Sequence, residues 1–344
     1  DDIIDAVHEG KRLPILLLPA IFFGTVLTHL CGGSAGREGA ALQMGGTIGQ
    51  CMGRTFRLDD RDLRVATLAG MAAFFSALFG TPLAATVFAI MVISIGVIYH
   101  VALYPSLLAA LVAYGVSVRL GVEPTRFTVA VPDQSVGMFV RVAALGVLCA
   151  LVSILFCKLM HGAGHLMKRI KNPWLRVICG GFAVIALTWI FGTDYNGAGM
   201  DVVTRAIEQE TVAVPWAFLL KLVFTAVTLA AGFKGGEVVP SFFVGATFGC
   251  AVSPLLGLPV GFGAAVGLAA VFCGVTNCPV ASTLLAVELF GAEGMLYFAL
   301  ACCLSYMLSG YQGLYSSQTI LYSKLKAQFI NVHTNAYHAG EKTE

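Results

Sequence analysis

The stretch that decides the fold of this chain is Gly32-Gly-Ser-Ala-Gly-Arg-Glu-Gly-Ala-Ala-Leu-Gln43. An apolar segment leads into these glycines, and we predict that a new helix begins at about Glu38. The first turn of a helix presents free backbone N–H groups and the positive end of the helix dipole, so it binds anions without a full cation. Glycine lets the backbone approach an ion closely. The stretch therefore predicts an anion site at a break between helices.

The composition indicates that the chain lies in lipid. Of its 344 residues, 58% are hydrophobic and 12% are charged, whereas soluble domains carry roughly 25% charged residues. The mean hydropathy is +0.84. Apolar stretches at 138–160, 177–191 and 216–232 are long enough, or nearly so, to cross about 30 Å of hydrocarbon. The net charge of +2 and the lack of a basic run with aromatics argue against nucleic acid as a partner.

Cysteine and histidine give no sign of a metal or cofactor site. The ten cysteines are scattered along apolar stretches, no CxxC pair occurs, and no HExxH pattern is present. We therefore expect buried, inert thiols and predict neither a metal nor a cofactor.

Glu38 occupies the position at which the predicted site would hold an anion. A carboxylate is itself an anion, so ionised Glu38 can fill the site and protonated Glu38 can vacate it. Acidic side chains also stabilise the first turn of a helix. The local sequence leaves two interpretations open: a gate that carries protons, or a helix cap.

A second stretch of the same kind is Gly232-Phe-Lys-Gly-Gly-Glu-Val-Val-Pro-Ser-Phe-Phe-Val-Gly-Ala-Thr247. Proline is tolerated at the start of a helix, so at Pro240 a glycine turn again leads into a helix N-terminus. Glu237 adds an ionisable group at membrane depth, where such groups are costly and usually functional. It is therefore a second candidate for gating or proton coupling, with capping or pairing to Lys234 as the alternative.

The two glycine stretches belong to an internal repeat. The segments 70–82 and 267–279 both take twelve steps from glycine to proline, and Gly36-Arg-Glu38 can be placed on Gly235-Gly-Glu237. We predict two copies of one unit, at about 1–120 and 200–320. Such repeats are typical of transporters, whose substrate lies at the repeat interface near the bilayer midplane. After one residue of slip, three further pairs match: Gly45 with Gly245, Thr47 with Thr247 and Gly49 with Gly249.

The second copy is preceded by two long apolar segments and the loop Asn196-Gly-Ala-Gly199, which have no counterpart before the first copy. By symmetry we expect about 60 further residues before Asp1, although a genuinely asymmetric protein is the alternative. The predicted organisation is an incomplete first transmembrane repeat (1–120), a linker (121–137), a second transmembrane repeat (138–320) and a short cytoplasmic tail (321–344). The basic loop at 168–171 is predicted to be cytoplasmic.

The chain resembles the CLC family of chloride channels and anion/proton exchangers. Gly36-Arg-Glu-Gly39 matches the family's G(K/R)EG motif, whose glutamate is the external gate, and Gly235-Gly-x-x-x-Pro240 takes the place of its second glycine–proline motif. Tyr315 matches the tyrosine at the start of the family's final short helix, which closes the inner side of the pore. A tyrosine hydroxyl can donate a hydrogen bond to an anion.

This resemblance implies an all-α integral membrane fold, a CLC-like inverted repeat of tilted and broken helices with the first helices of repeat one missing. It also implies gating and proton coupling by Glu38 and Glu237. The anion-binding residues that it implies are Gly36, Arg37, Gly39, Gly235, Gly236, Val238, Val239 and Tyr315.

Within the family, Glu237-Val-Val239 resembles the bacterial fluoride/proton antiporter branch more than the GxFxP motif of the chloride branch, although the fluoride branch often has Thr at the place of Val239. The internal proton glutamate of chloride exchangers would fall near Met91, and it is absent. We therefore expect a homodimer in the bacterial inner membrane that exports fluoride in exchange for protons.

The alternative within the family is a chloride channel or a chloride/proton exchanger. A membrane enzyme acting on a lipid-linked substrate would need a nucleophile–base pair or a metal cluster on a water-facing loop, and none is visible. A structural subunit would not need two glutamates at helix breaks.

Overall fold

The computed structural model describes residues 2–211, 214–326 and 328–335. Within these residues the chain forms fourteen α-helices and one small sheet. Five helices are long and apolar enough to cross a membrane, and six apolar helices are shorter. The protein is therefore a multi-pass, all-α membrane protein. The five long helices are Asp60–Phe79, His100–Arg119, Val136–Met167, Pro173–Phe191 and Val238–Leu256.

The helices fall into three groups in chain order. The first repeat comprises α1 (Asp2–Glu9), α2 (Leu17–Leu30), α3 (Glu38–Thr55), α4 (Asp60–Phe79), α5 (Pro82–Met91) and α6 (Leu103–Arg119). Two long helices follow, α7 (Val136–Met167) and α8 (Pro173–Phe191). The second repeat comprises α9 (Met200–Glu208), α10 (Ala217–Ala230), α11 (Val238–Leu256), α12 (Val260–Thr276), α13 (Pro279–Phe290) and α14 (Met295–Leu308).

The segment between the two repeats has no helix from residue 122 to 135, and Ser135 caps α7 by accepting a hydrogen bond from the amide of Met138. The segment is anchored to the helices by backbone hydrogen bonds. Its Thr125 amide donates to the carbonyl of Phe79, and its Phe127 amide donates to the carbonyl of Leu289. It therefore connects the end of α4 with α13.

The backbone repeats the same conformation in both copies. Arg37, before α3, and Glu237, before α11, both have φ −102° and ψ −9°. Gly80 ends α4 with φ 70° and Asn277 ends α12 with φ 61°. In each copy a proline then begins the next helix, because the first turn does not need the missing N–H.

One part of the predicted alignment is wrong. Gly36 pairs with Gly236 rather than with Gly235, and α3 begins at Glu38 where α11 begins at Val238. From α2 to α4, helix start therefore matches helix start in α10 to α12 at an offset of 200 residues, without the slip introduced on glycine identity. The counterpart of Glu38 is Val238, so the two glutamates are not mirror images of each other.

Glycines hold paired helices close together in both copies. A Cβ on Gly45 of α3 would lie 2.3 Å from the carbonyl oxygen of Gly70 on α4, and a Cβ on Gly245 of α11 would lie 2.4 Å from that of Gly267 on α12. Both distances are far below van der Waals contact. The sequence match at these glycines thus reflects a shared helix-pair geometry.

Five phenylalanines join the two repeats in a closed chain of ring contacts. Neighbouring ring centroids lie 4.8–5.7 Å apart, and all five rings are buried. Contacts of this type contribute about 0.5–1.5 kcal/mol each beyond the area that they bury. In order around the chain of contacts, the rings are Phe75, Phe79, Phe242, Phe272 and Phe88.

The end of the chain differs from the expectation. The described residues after α14 contain no helix, so Tyr315 precedes a strand, β2 (Thr319–Tyr322), and not a final short helix. Strand β2 pairs in parallel with β1 (Ser94–Ile95) and antiparallel with β3 (Phe329–His333). Ile95, Ile320 and Ile330 form a small buried cluster. The described part of the predicted tail is therefore packed onto the first repeat, because its alternating apolar residues find partners there.

The outer surface of the helices is apolar. Trp189 is 89% exposed, and Phe182 and Trp174 are also exposed, as expected of side chains that face lipid tails. The cysteines follow the same division. Six of them are buried, Cys51 is half-buried, and Cys31, Cys179 and Cys303 are exposed. The expectation of uniformly buried thiols is therefore wrong, because thiols on an apolar outer surface need no cover.

Candidate functional site

The two glycine loops meet where α3 and α11 begin. The amide of Gly36 donates to the carbonyl of Gly236 at 2.7 Å, and the amide of Gly236 donates to the carbonyl of Gly36 at 2.6 Å. A Cβ on Gly39 would lie 2.9 Å from the Cα of Gly236, so this approach requires glycine. The pairing brings two positive helix ends to one point inside the protein.

The carboxyl group of Glu38 lies at that point. The residue is only 2% exposed, and the backbone N–H groups of Glu38 and Val239 face its carboxyl group. Among the described residues its Oε2 atom has no hydrogen-bond partner. Its Oε2 atom also lies 2.1 Å from where a Cβ on Gly36 would be. The carboxylate therefore occupies a cradle made by the N-termini of both helices and by the bare backbone of Gly36.

Polar side chains of α10 hold the loop that precedes Glu38. The amide of Ser34 donates to Thr228 Oγ1 at 3.1 Å, and the hydroxyl groups of Ser34 and Thr225 lie 3.0 Å apart. One turn earlier, the fully buried Lys221 donates from Nζ to the carbonyls of Tyr195 and Gly197. One helix face thus fixes the glycine loops that precede α3 and α9.

Glu237 lies in the backbone position immediately before α11, and its side chain makes no capping hydrogen bond. Among the described residues it also forms no ion pair with Lys234, and Arg205–Asp194 is the ion pair found there. Neither helix capping nor pairing with Lys234 therefore accounts for the position of Glu237. The residue is half-buried because part of its surface faces internal cavities.

A cavity of about 190 Å³ lies beside the paired glycines and contains Glu237 and Tyr315 in its wall. Its other lining residues are mostly apolar, and it extends to Ile3 and Ile4 on α1. We call it the central cavity. Its remaining lining residues are Gly39, Leu42, Gln43, Met71, Phe88, Val92, Gly235, Gly236 and Leu314.

The predicted anion-binding residues fall into two groups in the structure. Gly39, Gly235, Gly236 and Tyr315 line the central cavity. Gly36 lies in the cradle, and the buried Val238 and Val239 form the first turn of α11. Arg37 is the exception. Its side chain is exposed, because the position before the helix directs it away from the paired glycines.

The sequence reasoning missed Gln43, Ile3 and Ile4, which also line the central cavity. Gln43 could have been found, because residues 39, 42 and 43 share one face of a helix that begins at Glu38. Ile3 and Ile4 gave no signal, since two isoleucines on a short helix suit any apolar core. Gln43 is the polar side chain, besides Glu237 and Tyr315, that the described lining of this cavity offers.

A buried polar network fixes the segment that carries Tyr315. Gln318 donates from Nε2 to the carbonyls of Val92 and Thr276, and Asn277 donates to the carbonyl of Gln312. From beyond β3, the hydroxyl of Thr334 donates to the carbonyl of Tyr315. Residues from both repeats and from the end of the described chain therefore hold Tyr315 beside the cavity.

The metal-ligating residue types do not cluster. Across residues 2–211, 214–326 and 328–335, no three His, Cys, Asp or Glu side chains are grouped so that they could hold a metal ion. The chemistry of the site comes from backbone N–H groups, two carboxyl groups, one phenol and one amide.

Comparison with known proteins agrees with this arrangement. The model of the family described as "Voltage gated chloride channel" matches residues 1–310. The "Chloride/fluoride channel protein" of Pseudomonas syringae is 40% identical over 333 residues, which cover 94% of this chain and 73% of the relative. The "H(+)/Cl(-) exchange transporter ClcA" of Vibrio parahaemolyticus is 26% identical, over 91% of this chain and 72% of that protein.

Solved structures share the fold. A crystal structure described as a CLC-type fluoride/proton antiporter superposes with a TM-score of 0.89 at 35% identity, over 92% of this chain and 81% of that one. A slow cyanobacterial Cl−/H+ antiporter, 20% identical, matches with a TM-score of 0.74 over 89% of this chain and 76% of its own. The chain belongs to the CLC family, described as voltage-gated chloride channels, and is an anion-transporting membrane protein of that family.

Proposed function

We propose that this protein exchanges fluoride for protons and thereby exports fluoride across a bacterial inner membrane. In this proposal Glu38 is the gate and first proton carrier, and Glu237 is the second. The anion passes through the cradle and the central cavity. It is bound by the backbone and side chains of Gly36, Gly39, Gly235, Gly236, Val238, Val239 and Tyr315.

The observation that carries the proposal is the position of the Glu38 carboxyl group at the meeting point of two helix N-termini. A carboxylate there takes the place of a bound anion. Protonation removes its charge, and with it the attraction to the two helix ends. A transported anion can then enter, so each exchange of anion and carboxylate is linked to a proton.

Glu237 makes fluoride the favoured anion. Fluoride holds its hydration shell tightly, so a dehydrated fluoride needs strong hydrogen-bond donors. A protonated carboxyl group is such a donor, and burial beside an anion favours the protonated form. The similarity to a chloride/fluoride channel protein and to a fluoride/proton antiporter supports this choice.

Chloride is the competing candidate. The relative from Vibrio parahaemolyticus is named as an H(+)/Cl(-) exchanger, and Val239 offers no hydroxyl donor beside the anion site. Flux of each anion from liposomes loaded with fluoride or chloride separates the two candidates. We also propose that the protein is a homodimer, as the family resemblance implies, which its mass in detergent would test.

The gate is tested with Glu38→Gln, which mimics the protonated carboxyl group without its exchangeable proton. We expect proton coupling to be lost, and anion flux to become passive or to stop. The measurement is proton uptake together with fluoride efflux from proteoliposomes. Arg37→Gln, which removes an exposed neighbouring charge, is the matched control and should retain coupling. Unchanged pH-driven transport by Glu38→Gln would instead identify Glu38 as a helix cap.

A further inference from the structure

A second cavity approaches Glu237 along α7. Its volume is about 330 Å³, and Glu237 and Leu314 line both this cavity and the central one. We call it the α7 cavity. Apart from these two, its lining residues are Met160, His161, Gly164, His165, Lys168 and Ser316.

Three basic side chains line the α7 cavity from one helix face. His161, His165 and Lys168 have the i, i+4, i+7 spacing that places them in a row. The row leads from Glu237 toward the basic loop at 168–171, which is predicted to be cytoplasmic. Glu237 interacts electrostatically with Cys157, one turn before His161. The cavity thus extends from Glu237 to Lys168, at the C-terminal end of α7.

Hydrogen bonds fix the tautomer of His161. Its Nδ1 atom lies 2.7 Å from the carbonyl oxygen of Cys157. A carbonyl only accepts, so Nδ1 carries a proton. In the neutral ring the Nε2 atom therefore carries a free lone pair and can accept a proton. This atom lies 3.2 Å from the hydroxyl oxygen of Ser316 and 3.4 Å from Nδ2 of Asn335. The ring is held so that Nε2 can accept a proton while Nδ1 keeps its own.

The two cavities differ in chemistry. In the central cavity the titratable lining residues are Glu237 and Tyr315, and the wall is mostly apolar. The α7 cavity adds the imidazoles of His161 and His165 and the amino group of Lys168 to Glu237. A neutral His161 presents an acceptor, which suits a proton and not an anion. Imidazole is also the side chain whose ordinary pKa allows proton exchange near neutral pH.

We infer that the α7 cavity is the proton route between Glu237 and the cytoplasm, with His161 as a proton relay, while the anion uses the central cavity. This inference rests on the proposed proton coupling. The proton leaves the Glu237 carboxyl group for water in the cavity and binds Nε2 of His161, which becomes an imidazolium. The same N–H bond then breaks and releases the proton to water beside His165. No other bond changes.

Several groups set the charge around His161. Along α7 these are His165 and Lys168, which line the same cavity. Glu237 lies immediately before α11, and Ser316 and Asn335 contact the ring from the segment after α14. Lys324 interacts with Cys157 nearby. The pH dependence of transport should accordingly belong to this group and not to one imidazole alone.

The test is chemical rescue in proteoliposomes. His161→Ala removes the relay and leaves space for a free imidazole. We expect its proton-coupled fluoride efflux to fall roughly tenfold or more, as for loss of a proton-transfer group, and to recover when imidazole is added. Fluoride binding to the detergent-purified variant, measured by calorimetry, should match that of the unmodified protein. The exposed His100, outside both cavities, provides the control His100→Ala.

Each result decides the inference. The relay is overturned if His161→Ala exchanges fluoride and protons as fast as the unmodified protein. It is also overturned if the variant is slower but added imidazole does not restore its rate. A changed fluoride affinity in Lys168→Met, with no imidazole effect on His161→Ala, would make the α7 cavity an anion entrance and also overturns it. If the unmodified protein moves no protons, the proposed antiport itself fails. Should His161→Ala not fold, His161→Gln must show the same slowing and a flattened dependence on cytoplasmic pH, and wild-type behaviour there refutes the relay.

Discussion

At the scale of single residues, the carboxyl groups of Glu38 and Glu237 lie near each other but differ in their surroundings. Glu38 points back into the cradle against Gly36, whereas Glu237 precedes its helix and borders open space. In the proposed function the first acts by leaving its site to an anion. The second can act without moving far, because cavities reach it from more than one side.

Glu237 therefore gives the sharpest residue-level prediction. Glu237→Gln keeps a weak N–H donor but removes the exchangeable proton, so fluoride transport should fall far more than residual chloride leak. Efflux of both anions from matched proteoliposomes measures the difference. Gln43→Leu, on the same cavity wall, is the control for a general loss of polarity. Equal losses for both anions in Glu237→Gln would argue against fluoride as the substrate.

The residues also show what sequence can and cannot predict. Glu38 and Glu237 stand out because carboxyl groups are unusual in apolar sequence, the glycines stand out because they cluster, and Tyr315 was found only through the family resemblance. The α7 cavity was overlooked although His161 and His165 have a visible i, i+4 spacing. Its meaning depends on Glu237 and Ser316, which are far away along the chain. A residue type can be recognised from the local sequence. The wall of the α7 cavity is built from α7, Glu237 and the segment 314–316, and their proximity cannot be recognised in this way.

At the scale of elements, α10 has one buried polar face that serves two loops. Lys221, Thr225 and Thr228 follow helical spacing and bind the loops before α3 and α9. These polar groups are fully buried among apolar side chains, and each has a partner. The face explains how flexible glycine loops keep one geometry.

Lys221→Met tests the role of this face. It leaves the carbonyls of Tyr195 and Gly197 without their donor, which costs about 1–3 kcal/mol for each buried unpaired group. We expect a lower unfolding temperature in detergent and slower anion exchange. Thermal unfolding followed by light scattering measures the first effect. Lys158→Met, on the exposed side of α7, should change neither, and equal stability of the two variants would contradict the anchoring role.

The alignment between repeats was predicted correctly at Gly45 and Gly49 but was one residue off at Gly36. Glycine identity suggested that Gly36 matches Gly235, and hydrogen bonding instead pairs Gly36 with Gly236. The error arises because Gly36 can be aligned equally well with Gly235 or Gly236 by residue type. Only the starts of α3 and α11 fix the alignment of the two repeats. The final strands were also missed. The residues of β1 lie between two helices and have no strand pattern of their own.

At the scale of the whole molecule, the described end of the chain joins parts that are far apart in sequence. Lys324 donates from Nζ to Asn277 at the end of α12 and to Tyr306 and Ser309 at the end of α14. The same segment belongs to the sheet with β1 of the first repeat. The loop that carries Tyr315 is therefore enclosed by contacts from both repeats.

The family resemblance implies that Tyr315 closes the inner side of the pore, and on that expectation loosening this enclosure should weaken the closure and leave the proposed gate Glu38 in place. In Lys324→Met we expect more anion to move per proton than in the unmodified protein, because Tyr315 is less firmly held. The ratio of fluoride efflux to proton uptake measures this. Lys326→Met alters a neighbouring exposed lysine and should keep the original ratio. An unchanged ratio in Lys324→Met would show that the network has no part in coupling.

The pairing of β1 with β2 also has a consequence for biosynthesis. Ser94 is made long before its neighbour Thr319, and at typical elongation rates the interval is roughly 10–50 s. During that time the edge of β1 has no strand to pair with, and the segment around Tyr315 does not yet exist. The contacts of β2 and Thr334 that hold the Tyr315 segment thus form only after α1–α14 have been made. A nascent chain that ends before β2 would hold helices α1–α14 without these contacts, so the segment around Tyr315 would lack its anchors.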